Sequence, residues 1–176
     1  MTMSNNGLLK SSLSKKYVMA LTGLFLCLFL VGHLVGNLQL FIPGEEGVVT
    51  FNEYAKFMTS NPAIKIMSYL TYAGIIFHML DGFYLTIQNR KARPVKYVVE
   101  KGSANSSWSS RNMALLGTIL LVFLVTHMSN FWYVMHFELP IPVDGGVKDL
   151  HHVVMTFFSP ENQYALVCTI LYVVAM

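Results

Sequence analysis

Four stretches of the chain are apolar for long enough to set its architecture. They run from Tyr17 to Ile42, from about Ile64 to Gln88, from about Met113 to Phe137, and from Tyr164 to Met176. A bilayer core of about 30 Å takes roughly 20 apolar residues in a helix. The first three stretches reach that length; the fourth, at 13 residues, does not. The pattern predicts an all-α fold, a polytopic transmembrane helix bundle with three complete spans and a truncated fourth. It predicts a single domain over residues 1–176, with the chain ending inside its fourth helix.

The polar intervals predict the connections. Residues 1–16 form a Ser-, Asn- and Lys-rich tail ending in a basic anchor. Pro43-Gly44 ends the first helix, and an outer loop follows over residues 43–63. Within it, Thr50-Phe51-Asn52-Glu53 fits a capping box opening a short helix. Phe51, Tyr54, Phe57 and Met58 would then share one interfacial face. The run Asn89-Arg90-Lys91-Ala92-Arg93-Pro94-Val95-Lys96 is a basic loop. Residues Gly102 to Arg111 extend it as a flexible polar stretch. A second outer loop, punctuated by Pro140, Pro142 and Gly145-Gly146, reaches Asn162.

Charge orients these spans. The tail and the 89–111 loop hold nine of the twelve Lys and Arg residues and one acid, Glu100. The outer loops and their margins hold Lys56, Lys65, Lys148 and seven acids. The positive-inside rule places the N-terminus and the 89–111 loop in the cytoplasm, in a multi-pass protein of the cytoplasmic (inner) membrane. Trp108, Trp132, Tyr133, Tyr17 and Tyr97 fall near the expected interfaces, as an aromatic belt does. The net charge of +3 follows this topology and forms no nucleic-acid patch. Charged residues are only 12 % of the chain, against about 25 % in soluble domains.

The N-terminal apolar run is 26 residues long and contains no Ala-x-Ala of the kind that marks a cleavage site. A signal peptide has an apolar region of about 7–15 residues, so the run is read as a mature span. The two cysteines, Cys27 and Cys168, lie in apolar segments and offer neither a disulfide framework nor a zinc pattern. With no Cys-x-x-Cys-His, any haem is held by coordination, as in a b-type cytochrome.

Ionisable residues inside spans are costly and usually mark function. Three histidines sit at such depth, and Gly74, His78 and Gly82 recur every four residues on one helix face. That face predicts a flat slot with an imidazole on its floor, suited to a flat ring with a central metal. His33 lies 17 residues after Lys16, and His127 lies 16 after Arg111. At about 1.5 Å per residue, both sit roughly 24–25 Å from their cytoplasmic anchors. His78 precedes Arg90 by 12 residues, or about 18 Å, so it belongs to an inner layer. The arithmetic predicts an outer metal site closed by His33 and His127 and an inner one half-formed by His78. The partner of His78 would lie beyond Met176. Gly32-x-x-x-Gly36 is a small-residue face for helix approach. His136 reads as interfacial, and His151-His152 as part of a solvated loop. Asp81 is open to three roles: a hydrogen bond to imidazole, orientation of a neighbouring helix, or proton relay.

The motifs also carry a resemblance. Lys15-Lys16-Tyr17-x-Met19-Ala20-Leu21-Thr22-Gly23-Leu24, then Gly32-His33-Leu34-x-Gly36-Asn37, resembles the start of the succinate dehydrogenase/fumarate reductase cytochrome b subunit. The version resembled is the five-helix, two-haem membrane anchor. Phe77-His78-x-x-x-Gly82-Phe83 and Ser109-Ser110-Arg111-x-Met113, followed by His127, resemble its next motifs in order. The resemblance implies two haem b groups, with His33 and His127 as axial ligands of the distal one and His78 as a ligand of the proximal one. It implies a flavoprotein and an iron–sulfur partner subunit on the cytoplasmic face. Electrons would pass between the iron–sulfur subunit and a membrane quinone, expected to be menaquinone. The chain itself would be a non-catalytic electron-transfer subunit. Glu53 is a quinone-site candidate by its place in the outer loop, and Arg111, Trp108 and Lys16 are candidates to meet haem propionates. Two other classes stand beside this reading: a small transporter with a His78–Asp81 proton relay, and a haem-free structural anchor.

Overall fold

The computed structural model describes residues 12–92, 94–95, 101–139 and 146–175. Lys10, Arg93, Lys96, Tyr97, Glu100, Pro140, Pro142 and Gly145, used above for topology and loop punctuation, lie outside the described residues. The described residues are helical with no strand. Helix α1 spans Ser12–Asn37 and tightens into a 3₁₀ turn over Leu38–Phe41. Helix α2 is Gly44–Ser60, α3 is Pro62–Lys91, and two single turns follow as α4 (Gly102–Asn105) and α5 (Trp108–Arg111). Helix α6 is Met113–His127 and continues as a π-helix over Met128–Glu138; α7 is Leu150–Phe157 and α8 is Ala165–Ala175. Three helical stretches, Leu13–Phe41, Pro62–Lys91 and Met113–Glu138, are long and apolar enough to cross a membrane. Almost none of their apolar windows is buried against protein. Apolar helices left open in this way suit lipid, where every backbone polar group is already bonded within the helix.

The chain divides into two units: Met1–Leu34 with Pro62–Glu100, and Val35–Asn61 with Lys101–Met176. In the first unit α1 and α3 run antiparallel and mesh side chains in steps of about one turn. Near one end the Lys15 ammonium donates to the Tyr84 hydroxyl at 3.2 Å and lies 4.4 Å from the ring centroid. Further along, a Cβ at Gly82 would sit 3.0 Å from Met19 Cε, and one at Gly74 would sit 3.6 Å from the Phe25 ring. The face carrying Gly74, His78 and Gly82 is therefore present, but it is no open slot. Small residues on one helix receive large ones from the other, and Met19 and Phe25 fill the space beside the glycines.

In the second unit α2 and α7 pack together. Helix α2 starts after Pro43, in extended backbone, with Gly44 at φ +74°, a conformation that glycine adopts without steric penalty. Glu45 and Glu46 place negative charge in its first turn, where the helix dipole favours it. Thr50 thus lies inside the helix, and the capping box expected at Thr50–Glu53 is not formed. The buried face of α2 is Gly47, Phe51, Asn52 and Ala55; of the four residues expected to share an interfacial face only Phe51 is buried, and Phe57 is 53 % exposed. Glycine and alanine one turn either side of Phe51 admit neighbours closely, which Phe57 does not. A Cβ at Gly47 would collide with the Ile42 carbonyl. Gly47→Ala is therefore expected to destabilise this unit by about 2–3 kcal/mol through forced backbone movement, read as a lowered unfolding midpoint. At Gly36 a Cβ would come within 2.7 Å of the Tyr54 ring, whereas nothing described lies within 4 Å of one at Gly32. Only the second glycine of the expected Gly32/Gly36 face takes a neighbour.

Helix α7 and the turns α4 and α5 replace what the polar pattern suggested was loop. Asp149 caps α7 by accepting from the His152 N–H at 3.0 Å, and Ser107 caps α5 by accepting from the Ser110 N–H at 3.3 Å. Such side-chain acceptors satisfy N–H groups with no partner inside the helix. Lys148 Nζ donates to the Met135 carbonyl at 2.6 Å, which satisfies a carbonyl near the end of the third span.

Candidate functional site

The three intramembrane histidines are held in two different ways. His78 is half-buried on α3, and its Nδ1 lies 2.9 Å from the Thr22 hydroxyl on α1. Gly23, next to Thr22, gives the ring room: a Cβ there would lie 3.1 Å from His78 Cε1. The meshing of α1 with α3 thus presents Thr22 and Gly23 together as a seat for the imidazole.

His33 and His127 are held by aromatic rings on their own helices. The His33 ring stacks on Phe29 with centroids 5.7 Å apart and planes 20° apart. The His127 ring stacks on Phe123 at 5.6 Å and 23°. Each phenylalanine precedes its histidine by four residues, the spacing that puts side chains on one face of a helix. The same spacing stacks His136 on Trp132 at 4.5 Å, and His136 Nδ1 lies 2.8 Å from the Trp132 carbonyl. This Phe-x-x-x-His signal is legible in the sequence, although the depth arithmetic makes no use of it. His78 lacks such a ring because Gly74 stands four residues before it.

His127 has a fuller aromatic setting. Phe131 lies 5.2 Å away, one turn on, and Tyr172 of α8 lies 6.2 Å away. Phe157 and Phe158 join the cluster against Tyr172 at 5.7 and 5.8 Å. The change from α- to π-helix begins directly after His127, at Met128. His33 is exposed on α1 within the first unit, and His127 is half-buried in the second.

The remaining candidates occupy simpler places. Glu53 is exposed on α2, on the side away from Phe51 and Asn52. Arg111 donates from Nη1 to the Ser106 carbonyl, so its guanidinium braces the α4–α5 connection. Trp108 is 60 % exposed, and Lys16 is exposed near the start of α1. Asp81 makes no hydrogen bond to His78, and its buried Oδ2 has no hydrogen-bond partner among the described residues. The first of the three roles open to Asp81 is therefore not seen.

His151 is part of a clasp rather than a free loop residue. Asn52, only 7 % exposed, donates to Asp149 Oδ1 at 2.9 Å and accepts from the His151 N–H at 2.8 Å. The Phe51 ring meets the His151 ring edge-on at 6.1 Å. Partial burial works to raise the Asp149 carboxyl pKa. The His152 N–H, the Asn52 amide and the two nearby imidazoles outweigh it and hold the group below the ordinary carboxylate value.

These donors suit some metal centres and not others. No group of three or more His, Cys, Asp or Glu residues converges among the described residues, so a zinc-type site made of side chains alone has no donor set there. A haem iron needs only an axial imidazole on each side. His78 meets that requirement chemically, because Nδ1 is engaged and Nε2 makes no hydrogen bond to any described residue. Comparison of the chain with known protein families, with curated proteins and with solved structures finds no match.

Proposed function

We propose that the protein is the haem b-containing membrane anchor of a succinate:quinone oxidoreductase, succinate dehydrogenase or fumarate reductase. The observation that supports this reading is an imidazole on a membrane-length helix, in contact with a hydroxyl through Nδ1 and making no hydrogen bond through Nε2 to any described residue. Ligating histidines are commonly held this way by a partner at the second ring nitrogen. The naming of the complex rests on the ordered motifs around Thr22, His33, His78, Arg111 and His127.

On this reading His33 and His127 would hold an outer haem, and His78 would supply one ligand to an inner haem. When bound, the haems carry electrons singly through the low-dielectric layer between an iron–sulfur subunit and quinone. The chain's own residues set ligand orientation. Phe29 and Phe123 fix the planes of the His33 and His127 rings. Lys16, Trp108 and Arg111 lie toward the cytoplasmic ends of their spans, where propionates of the inner haem would accept hydrogen bonds or pair with cations. Glu53, an exposed carboxylate on the outer side, is the residue we assign to the quinone end. The N-terminus and the flavoprotein and iron–sulfur subunits lie on the cytoplasmic side of the inner membrane, in line with the basic residues there.

A reduced-minus-oxidised visible spectrum of the purified, full-length protein tests this reading. A b-type band with bis-imidazole character is expected, and its absence overturns the proposal. His33→Ala and His127→Ala should each remove the same haem. Loss of different haems from the two variants would overturn the pairing.

A further inference from the structure

We propose that Thr22 is the positioning residue of His78, its hydroxyl holding the imidazole as the Nδ1–H tautomer so that the Nε2 lone pair faces the iron of the inner haem. The inference deepens the haem reading above and rests on it.

The argument is one of proton accounting. The Thr22 hydroxyl lies 2.9 Å from the Val18 carbonyl, 3.1 Å from the Met19 carbonyl and 2.9 Å from His78 Nδ1. A hydroxyl has a single proton to donate, and carbonyls can only accept. On the proposed assignment that proton goes to the two carbonyls of α1, and the oxygen turns a lone pair toward a protonated Nδ1. The opposite assignment, with Thr22 donating to a bare Nδ1, is the one the test below excludes. A neutral imidazole carries one N–H, so Nε2 is left with its lone pair, as an axial ligand requires. Gly23 completes the seat, because a larger residue would press on Cε1, the carbon between the two nitrogens. No phenylalanine stands four residues before His78 to orient its ring, so this directional bond does what stacking does for His33 and His127.

The bond also has an electronic effect. Donation from Nδ1–H to an acceptor raises the basicity of the metal-binding nitrogen. A more electron-donating ligand favours oxidised iron, so Thr22 lowers the midpoint potential of the haem that His78 holds.

The test uses the full chain with ¹⁵N-labelled histidine, before and after addition of haemin. In the haem-free protein, the His78 signals, assigned by their loss in His78→Ala, should show a protonated Nδ1 and a bare Nε2. Thr22→Ser, which keeps the hydroxyl, should match the wild type. Thr22→Val, nearly the same shape, should lose the tautomer bias and bind haemin at that site roughly 10–100-fold more weakly. The potential of that haem should rise, while haem at His33 and His127 is unaffected. A wild-type His78 protonated on Nε2 overturns the proposal. So does a Thr22→Val protein equal to wild type in tautomer and affinity while His78→Ala loses the site; the haem reading would survive that result. A wild-type chain that takes up no haemin at all overturns both. If Thr22→Val fails to insert, the wild-type tautomer and the Thr22→Ser comparison still decide the matter.

Discussion

Alanine in place of His78 is expected to abolish the inner haem completely while leaving the outer one and the helices in place. Removing this imidazole takes away the only histidine that this segment offers to an iron. Little else should fail. A histidine deep in a span is a cost to insertion that alanine relieves. The Thr22 hydroxyl would still donate to the Val18 and Met19 carbonyls, so no buried donor would lose its acceptor, the outcome that usually makes such a deletion expensive. Haem counted by its pyridine complex in the full-length protein should fall from two equivalents to one, with the unfolding midpoint nearly unchanged. Retention of both haems would remove His78 from the ligand set.

Asn52→Leu should produce a large loss of stability in the second unit. The amide of Asn52 bridges α2 and α7 with two short hydrogen bonds, one of them to a carboxylate. Leucine matches the volume but leaves the Asp149 oxygen and the His151 N–H without this partner. Asp149 is exposed and can recover water, so the expected cost is about 2–3 kcal/mol. For a chain of this size that lowers the unfolding midpoint by roughly 5–10 °C. Hydrogen exchange should localise the change to α7. The clasp also has a pH signature. The Asp149 carboxyl is held below its ordinary value, so the folded state binds this proton less readily than the unfolded chain does. Its stabilising contribution is whole above the ordinary value of about 3.9 and is lost as pH falls through the folded-state value. Wild type should therefore lose α7 protection below about pH 4, and Asp149→Asn should lack that particular transition.

The three spans were legible because length and hydropathy leave a membrane helix few alternatives. The positions of His33, His78 and His127 along them were equally plain. What escaped was decided by contacts between segments. Thr50-x-x-Glu53 has the letters of a cap, but the helix had already begun at Gly44, where Pro43 and two glutamates make a start. Helix α7 hides in an interval rich in proline and glycine, although Asp149 before an apolar run is a readable cap. Nothing in Met128–Glu138 marks a widening of the helix. Periodicity puts Gly74, His78 and Gly82 on one face, but it cannot say that Met19 and Phe25 fill the space beside the glycines. The Thr22–His78 bond joins residues far apart in the chain, and a single helix does not reveal it.

The antiparallel meshing of α1 and α3 couples the lengths of two segments. From the Lys15–Tyr84 contact to the Thr22–His78 contact there are seven residues on one helix and six on the other. An insertion of one residue in either segment would rotate everything past it by about 100° and swing the seat away from the ring. Neither helix has an internal turn to absorb the error. Insertions and deletions between these two contacts should therefore be tolerated only as matched changes on both helices.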